Sequence, residues 1–155
     1  MEIHIQFMQA ALKEAQKALS LKEVPVGAVV TLQDQIIGKG FNQVESLNDP
    51  TAHAEMIAIS AAANYLQSWR LEHCSIYVTL EPCSMCAGAI VLSRIKWLYY
   101  SADDPKAGSC GSLRNIVQDK RLNHQVRLQS GLLAKESEDL LKSFFRNLRK
   151  HRSID

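Results

Sequence analysis

The sequence lacks any long hydrophobic run, since no segment approaches the roughly 20 apolar residues that a membrane-spanning helix needs. Its first 19 residues combine acidic side chains with helical periodicity and do not have the pattern of a signal peptide. The formal net charge is only +2, which is too small to identify a nucleic-acid partner by itself. The sequence therefore predicts a cytoplasmic protein without a membrane partner.

Cysteine is also scarce, with four residues in the whole chain, at Cys74, Cys83, Cys86 and Cys110. A secreted chain could pair them in disulfides, but the reducing cytosol favours metal binding or catalysis for cysteines that are closely spaced. Only Cys83 and Cys86 are so spaced. Cys74, just before a predicted strand, is expected to be a small, buried and inert thiol.

The length and balance of the chain fit one compact domain over residues 1–155, because 46% of the residues are hydrophobic and 22% are charged. Helical periodicity predicts helices at 4–21, 54–62, 84–92 and 132–149, and β-rich runs predict strands at 26–32, 36–41, 75–80, 97–100 and 125–128. The first two strands should form an antiparallel hairpin. The later strand, helix, strand alternation predicts a βαβ crossover in a mixed sheet, and hence an α/β fold with helices on both faces.

Two short motifs carry the candidate chemistry. His53 and Glu55 fall at the start of one predicted helix, and Cys83 and Cys86 fall at the start of another. Cysteines three positions apart on a helical turn share a face, so their sulfurs can hold one zinc ion. Together with His53 they give three protein ligands, which leaves the fourth tetrahedral position for water. Such an open position is typical of a catalytic site.

Glu55 follows His53 by two positions, which in mid-helix would direct the two side chains roughly 200° apart. At the opening turn, both can reach past the helix terminus, His53 to the metal and Glu55 to the water. Zinc lowers the pKa of a bound water toward neutrality, so Glu55 is expected to accept its proton and pass it to a ring nitrogen of the substrate.

Other interpretations of the cysteine pair are a redox centre and half of a structural zinc site. If the chain were a thiol oxidoreductase, Glu55 would have no role, and a structural zinc site would require a fourth protein ligand. Cys110 is the only candidate for that fourth ligand, and we expect it instead to be a loop residue near the site.

These motifs resemble the cytidine deaminase superfamily, whose H-x-E and P-C-x-x-C signature is shared by zinc deaminases of bases. Within it, the chain is similar to the bacterial tRNA-specific adenosine deaminases over nearly its whole length. The similarity lies in these segments: VPVGAVV at 24–30, GFN ending at Asn42, DPTAHAEM at 49–56, VTLEPCSMCAGAI at 78–90, DDPKAGSCGS at 103–112, NH at 123–124 and FFR at 144–146.

The resemblance implies a three-layer α/β/α fold with a mixed central sheet of about five strands, one zinc per chain and a homodimer. It implies hydrolytic deamination of adenosine to inosine at the wobble position of a tRNA anticodon stem-loop. The target base would be held by Asn42 and the backbone of Ala54, between Val26 and the ring of His53. By the same resemblance, the contacts to the RNA would come from Asp103, Asp104, Lys106, Phe145 and Arg149.

The residues themselves leave part of this open. Asp103 and Asp104 could simply shape a turn, because acidic side chains do not bind phosphates favourably. Phe144 and Phe145 are adjacent on a helix, so we expect at least one to lie in the core and the other at a substrate groove. The basic side chains of this helix suit RNA when an exposed aromatic lies beside them. They are Lys142, Arg146, Arg149, Lys150 and Arg152.

The zinc motif alone does not separate tRNA from a free base such as guanine or cytosine. A non-enzymatic alternative is a zinc-stabilised binding module. Nor does the sequence identify which tRNA is modified.

Overall fold

The computed structural model describes residues 2–154, and their side chains as far as His151. Arg152, part of the predicted basic helix, therefore has its side chain outside the described residues. The elements in chain order are α1 (Glu2–Ser20), β1 (Gly27–Leu32), β2 (Gln35–Phe41), α2 (Val44–Leu47), α3 (Ala54–Leu66), β3 (Ser75–Leu80), α4 (Ser84–Leu92), β4 (Trp97–Ala102), β5 (Arg127–Ser130) and α5 (Ala134–Ile154). Over residues 2–154, no helix combines the length and apolarity needed to cross a bilayer.

The predicted hairpin is present, and β1 and β2 pair antiparallel. Gln33 and Asp34 both have positive φ, at 50° and 63°, which is the conformation of a two-residue turn that matches the twist of the strands. The register shifts between Val30 and Thr31, so the two strands carry an irregularity near the middle of their pairing.

The sheet has five strands in the order β2-β1-β3-β4-β5. Strand β1 pairs antiparallel with β3, whereas β3, β4 and β5 run parallel. Helix α4 connects β3 to β4 and supplies the predicted βαβ crossover. The predicted mixed α/β sheet is therefore confirmed.

Alternation along the strands divides the core between the two faces of the sheet. On one face, Val29, Tyr77 and Tyr99 pack with Phe7 and Met8 of α1. The larger cluster on the other face contains apolar residues of α3 and α4, among them Ala54, Ala58, Ala62, Ala87 and Ile90. The three layers expected from the resemblance are therefore confirmed.

Small residues let the helices approach the sheet closely. A Cβ atom on Gly27 of β1 would clash with the backbone of α1 at Ala11 and Ala15. On the other face, a Cβ on Gly40 of β2 would clash with the carbonyl oxygen of Ala54 in α3. Helix α3, whose first turn carries the candidate chemistry, is therefore held tightly against the hairpin.

Several predicted boundaries differ from the structure, among them the C-terminal end of α3 and both ends of β5 and α5, and two of these differences have a clear structural cause. Strand β5 begins at Arg127 and not at residue 125, because Val126 donates its amide to the carbonyl of Val117 in a loop and only then does the chain pair with β4. Helix α5 begins at Ala134 and not at residue 132, because Gly131 and Leu133 have positive φ, at 96° and 54°. The sequence also did not predict α2, which has only four residues.

Candidate functional site

Two helix starts bring the candidate metal ligands together. His53 is the N-cap residue of α3 and Cys83 is the N-cap residue of α4, and both have extended backbone angles. Neither side chain caps its own helix by a hydrogen bond. Both side chains are therefore free to turn toward each other in front of the two helices.

Among the described residues, the group that could hold a metal ion consists of His53, Cys83 and Cys86. Their ligand atoms all lie within 4.8 Å of one another. The Nδ1 atom of His53 lies 3.5 Å from the sulfur of Cys83 and 3.5 Å from that of Cys86. Zinc bonds of about 2.3 Å to sulfur and about 2.0–2.1 Å to nitrogen, at tetrahedral angles, would separate the two kinds of atom by about 3.6 Å. The donor types and their spacing therefore fit zinc.

The two thiols have different electrostatic environments. Hydrogen bonding from Cys86, and then from His53, lowers the pKa of Cys83, although burial opposes this effect. The same contact with Cys83, together with burial, raises the pKa of Cys86. One sulfur of the pair is thus readily ionised and accepts hydrogen bonds from the other members of the cluster.

Glu55 lies in the first turn of α3 and is buried, with 4% of its surface exposed. Burial raises the pKa of its carboxyl group to about 7. Its side chain also forms a hydrogen bond with Cys86, which places the carboxylate directly beside the metal-binding cluster. The structure thus brings Glu55 and His53 to the same place although they are only two positions apart.

A cavity of about 690 Å³ opens in front of the cluster. Its lining includes the sequence-predicted residues Val26, Asn42, His53, Ala54, Glu55, Cys83, Asp104 and Phe145. The side-chain nitrogen of Asn42 donates to the carbonyl of Val24, at 3.3 Å, whereas its Oδ1 is buried without a hydrogen-bond partner. An unpaired buried oxygen costs free energy, so Asn42 is suited to bind a donor group of a ligand.

A second cavity, of about 510 Å³, is lined by Lys106, Leu141, Lys142, Phe145, Arg146 and Arg149. Phe145 lines both cavities and is 41% exposed. The predicted RNA contacts Lys106, Phe145 and Arg149 are therefore brought together next to the cavity that contains Glu55. Four of the six lining residues are basic, which suits a polyanion.

Asp103 and Asp104 differ in their surroundings. Asp103 is exposed, lines neither described cavity and accepts a hydrogen bond from the hydroxyl of Tyr100, at 3.1 Å. Asp104 lines the first cavity, and its carboxylate accepts the amides of Lys106 and Ala107, at 3.0 and 3.3 Å. The alternative that these residues shape a turn therefore holds for the Asp104 side chain.

The two phenylalanines of α5 lie outside the core, and Cys110 lies outside the metal cluster. Neither Phe144 nor Phe145 is buried in the core, because both rings line the first cavity. The expectation that one of them belongs to the core was wrong, since α5 contacts β3 through Ser137 and these two residues, further along the helix, line the cavity. Cys110 is buried and lies outside the metal cluster, as expected, and its amide donates to Glu81.

Sequence reasoning missed two buried glutamates that line the first cavity, Glu23 and Glu81. Glu23 accepts the amides of Glu45 and Ser46 and the hydroxyl of Ser46, at 2.6–3.0 Å, and so caps the start of α2. Glu81 accepts hydrogen bonds from the loop 103–112. An acidic residue between an apolar strand and a proline is the one signal that could have identified Glu81.

Comparison with known proteins places the chain among deaminases. A family model described as MafB19-like deaminase matches residues 2–149. A tRNA-specific adenosine deaminase from Bacillus subtilis (strain 168) is 48% identical over 144 residues, which cover 93% of this chain and 89% of that protein. One from Haemophilus influenzae is 44% identical over 155 residues, which cover 99% of this chain and 90% of that protein.

Solved structures show the same fold. One from a study of A-to-I editing by tRNA:A34 deaminases at the wobble position superposes with a TM-score of 0.85 and 43% identity, covering 88% of this chain and 99% of that chain. A guanine deaminase from Nitrosomonas europaea superposes with a TM-score of 0.78 at 23% identity, covering 90% of this chain and 83% of that chain. At that identity the second likeness shows the fold alone.

Proposed function

Because the chain belongs to the MafB19-like deaminase family and is closely related to its tRNA-specific adenosine deaminases, we propose that it hydrolyses adenosine to inosine at the wobble position of a tRNA anticodon loop. The observation that carries this proposal is the juxtaposition of two cavities. The first cavity contains the buried Glu55 and lies in front of the metal-binding cluster of His53, Cys83 and Cys86. The second cavity is lined mainly by basic side chains.

Zinc is the proposed cofactor, with one ion held by His53, Cys83 and Cys86. The distances within the cluster support this choice, as does its donor set of one imidazole and two thiols. When bound with only three protein ligands, zinc activates a water molecule for attack near neutral pH.

Glu55 is the proposed catalytic acid and base. Its carboxylate takes a proton from the attacking water, whose oxygen bonds to the amine-bearing carbon of the purine, and delivers it to the adjacent ring nitrogen. A second proton, from the hydroxyl that this attack leaves on the carbon, passes through Glu55 to the amine. The C–N bond then breaks, a C=O bond forms and ammonia leaves. One water is consumed, and the product carries oxygen in place of the amine.

The remaining site residues divide between base and RNA. Val26, Asn42 and Ala54 line the first cavity and are proposed to hold the target base, with Oδ1 of Asn42 accepting a hydrogen bond. The second cavity is proposed to bind the anticodon stem-loop by charge and by stacking on Phe145. Lys106 and Arg149 would contribute charge there, and Asp103 and Asp104 would order the loop between the two cavities.

We further propose that the whole chain acts as one domain, in the cytoplasm, as a homodimer. Large apolar side chains are exposed near the ends of α3 and α4, with Tyr65 at 65%, Trp69 at 60% and Leu92 at 70%. Exposed apolar side chains that form one continuous patch mark an interface, and we propose that these three belong to such a patch. Sedimentation equilibrium should give twice the chain mass, and a monomer at micromolar concentration would count against the dimer.

Incubation with total bacterial tRNA, followed by digestion and nucleoside analysis, tests the proposed function. Inosine should appear in the tRNA with time and should require metal. Parallel incubations with free guanine and free cytosine, assayed for ammonia, should give no product. Release of ammonia from a free base, with no inosine in tRNA, would instead support the free-base alternative. No ammonia from any substrate would support the binding module.

A further inference from the structure

Glu81 is a buried carboxylate with no part in the chemistry proposed above. It directly follows β3, it stands two positions before Cys83, and only 2% of its surface is exposed. It lines the cavity that contains Glu55. Burying a carboxylate costs free energy unless hydrogen bonds or opposite charges compensate, so its partners indicate what it does.

Four hydrogen bonds from a single loop reach this carboxylate. Its Oε1 accepts the amide of Asp104, at 3.0 Å, and the hydroxyl of Ser112. Its Oε2 accepts the amides of Cys110 and Ser112, each at 3.0 Å. The donors lie 23 to 31 residues further along the chain, so these bonds join two distant segments.

Backbone hydrogen bonds also hold the region of this loop against the segment that carries Glu81 and Cys83. The amide of Ser109 donates to the carbonyl of Pro82, at 2.9 Å, and the amide of Glu81 donates to the carbonyl of Ala102, at 2.8 Å. A Cβ atom on Gly108 would clash with the Glu81 carboxyl group, so the loop passes this close only because residue 108 is glycine. The loop and the segment that carries Cys83 are thus held together at both side chain and backbone.

We propose that Glu81 is a positioning residue that fixes the loop 103–112 against the metal-binding segment and thereby sets the affinity for RNA. The loop places Asp104 and Ala107 in the wall of the first cavity and Lys106 in the basic second cavity. Glu81 thus acts on the substrate through the loop and not on the reacting atoms. This proposal rests on the function proposed above.

The variant Glu81→Gln replaces one acceptor oxygen by a donor. The Ser112 hydroxyl can reverse and accept from the new amide, whereas the amide of Asp104 cannot and is left unpaired. We expect the KM for an anticodon stem-loop RNA to rise about tenfold, the factor that one charged hydrogen bond represents, while kcat stays within about twofold. The Ser112→Ala variant removes one donor and should raise KM about threefold.

The matched control is Glu14→Gln. Glu14 is also a buried glutamate, 5% exposed, but it pairs with Lys17 on α1 and lies outside both described cavities. This variant should keep the wild-type KM and kcat even if it is less stable. Metal content should be equal in all the variants.

Amide hydrogen exchange supplies a readout independent of activity. In Glu81→Gln, the amide of Asp104 should exchange at least tenfold faster, and Glu14→Gln should leave it unchanged. If Glu81→Gln instead lowers kcat and the amount of bound metal but leaves KM unchanged, the role of Glu81 is only structural and the proposal is overturned. If Glu81→Gln does not fold, Ser112→Ala decides, and an unchanged KM with unchanged exchange overturns it.

The two proposals fail in different ways. If the wild-type protein forms no inosine in tRNA, the proposed function fails, and the exchange data still show whether Glu81 orders the loop. If the wild type is active and the Glu81 and Ser112 variants keep its KM, only the proposal for Glu81 fails.

Discussion

The chemistry proposed for Glu55 depends on a single carboxylate beside the metal-binding cluster. We predict that Glu55→Ala lowers kcat for inosine formation by about 10²- to 10⁴-fold, because it removes the group that moves the protons. Bound zinc should stay near one ion per chain, since the three ligand atoms come from His53, Cys83 and Cys86.

Nucleoside analysis of treated tRNA and elemental analysis of the purified variant measure the two quantities. The matched control is Glu72→Ala, because Glu72 is an exposed glutamate paired with Arg70. It should behave as wild type. An active Glu55→Ala variant would remove Glu55 from the mechanism.

Residues differ in how well the sequence predicts their roles. His53, Cys83 and Cys86 could be predicted because their positions at two helix starts follow from local spacing. Glu81 could not be assigned a role, because its partners lie 23 to 31 residues away and depend on how the loop 103–112 folds back. The expectation for Phe144 was wrong for a related reason, since helical periodicity does not show which part of α5 lies on the sheet and which part lies at the cavity.

Among the elements, α2 depends on a residue distant in the sequence. Its N-cap residue, Gln43, makes no side-chain cap, and the carboxylate of Glu23 accepts the free amides of Glu45 and Ser46 in its place. Burial alone would raise the pKa of Glu23, but the hydrogen bonds from Ser46 and Glu45 outweigh it and hold the pKa below 4.5.

This depressed pKa gives a stability prediction with a definite sign. The contribution of the ionised Glu23 to the free energy of unfolding is fully present above pH 4.5, and it is lost as the pH falls through the lower pKa of the folded state. We expect Glu23→Gln to be less stable than wild type by about 1–3 kcal/mol at pH 7, and the gap to narrow at more acidic pH.

Urea unfolding of both proteins between pH 7 and pH 3 measures the difference. Glu138→Gln, at an exposed position of α5, serves as control and should match wild type throughout. A constant gap at every pH would show that the charge of Glu23 does not matter.

The packing of α1 on β1 gives a second prediction for the elements. In Gly27→Ala, the new Cβ would clash with backbone atoms of Ala11 and Ala15, which no change of side-chain rotamer can relieve. We expect the free energy of unfolding to fall by roughly 3 kcal/mol or more. Lys39→Ala, at an exposed position of the neighbouring β2, should change it by less than about 0.5 kcal/mol. Equal stability of the two variants would mean that α1 can move away at little cost.

The order of the strands belongs to the whole molecule and could not be predicted from the sequence. Periodicity and the hairpin turn identified the five strands, and the crossover through α4 predicted parallel neighbours. Nothing local specifies that β1 inserts between β2 and β3, because that choice depends on long-range pairing. This order sets α3 on the hairpin, and α3 contacts α4 within the same core cluster, so that the two helix starts lie close together.

The distribution of charge over the molecule leads to the last prediction. The net charge is only +2, yet Lys106, Lys142, Arg146 and Arg149 all line the second cavity beside Phe145. If this surface binds RNA phosphates, KM for tRNA should rise steeply with salt, because each bound phosphate releases counterions.

Replacing Arg146 and Arg149 by Gln should raise KM and make the plot of log KM against log salt shallower by about 0.7–0.9 for each phosphate that the protein no longer binds. The effect should be confined to KM, since neither arginine lines the cavity that contains Glu55. Steady-state kinetics at several KCl concentrations measures the slope. Arg121→Gln is the control, because Arg121 is an exposed arginine that pairs with Asp119 and lines neither described cavity. Equal slopes in the double variant and the wild type would place the phosphate-binding residues on a different surface.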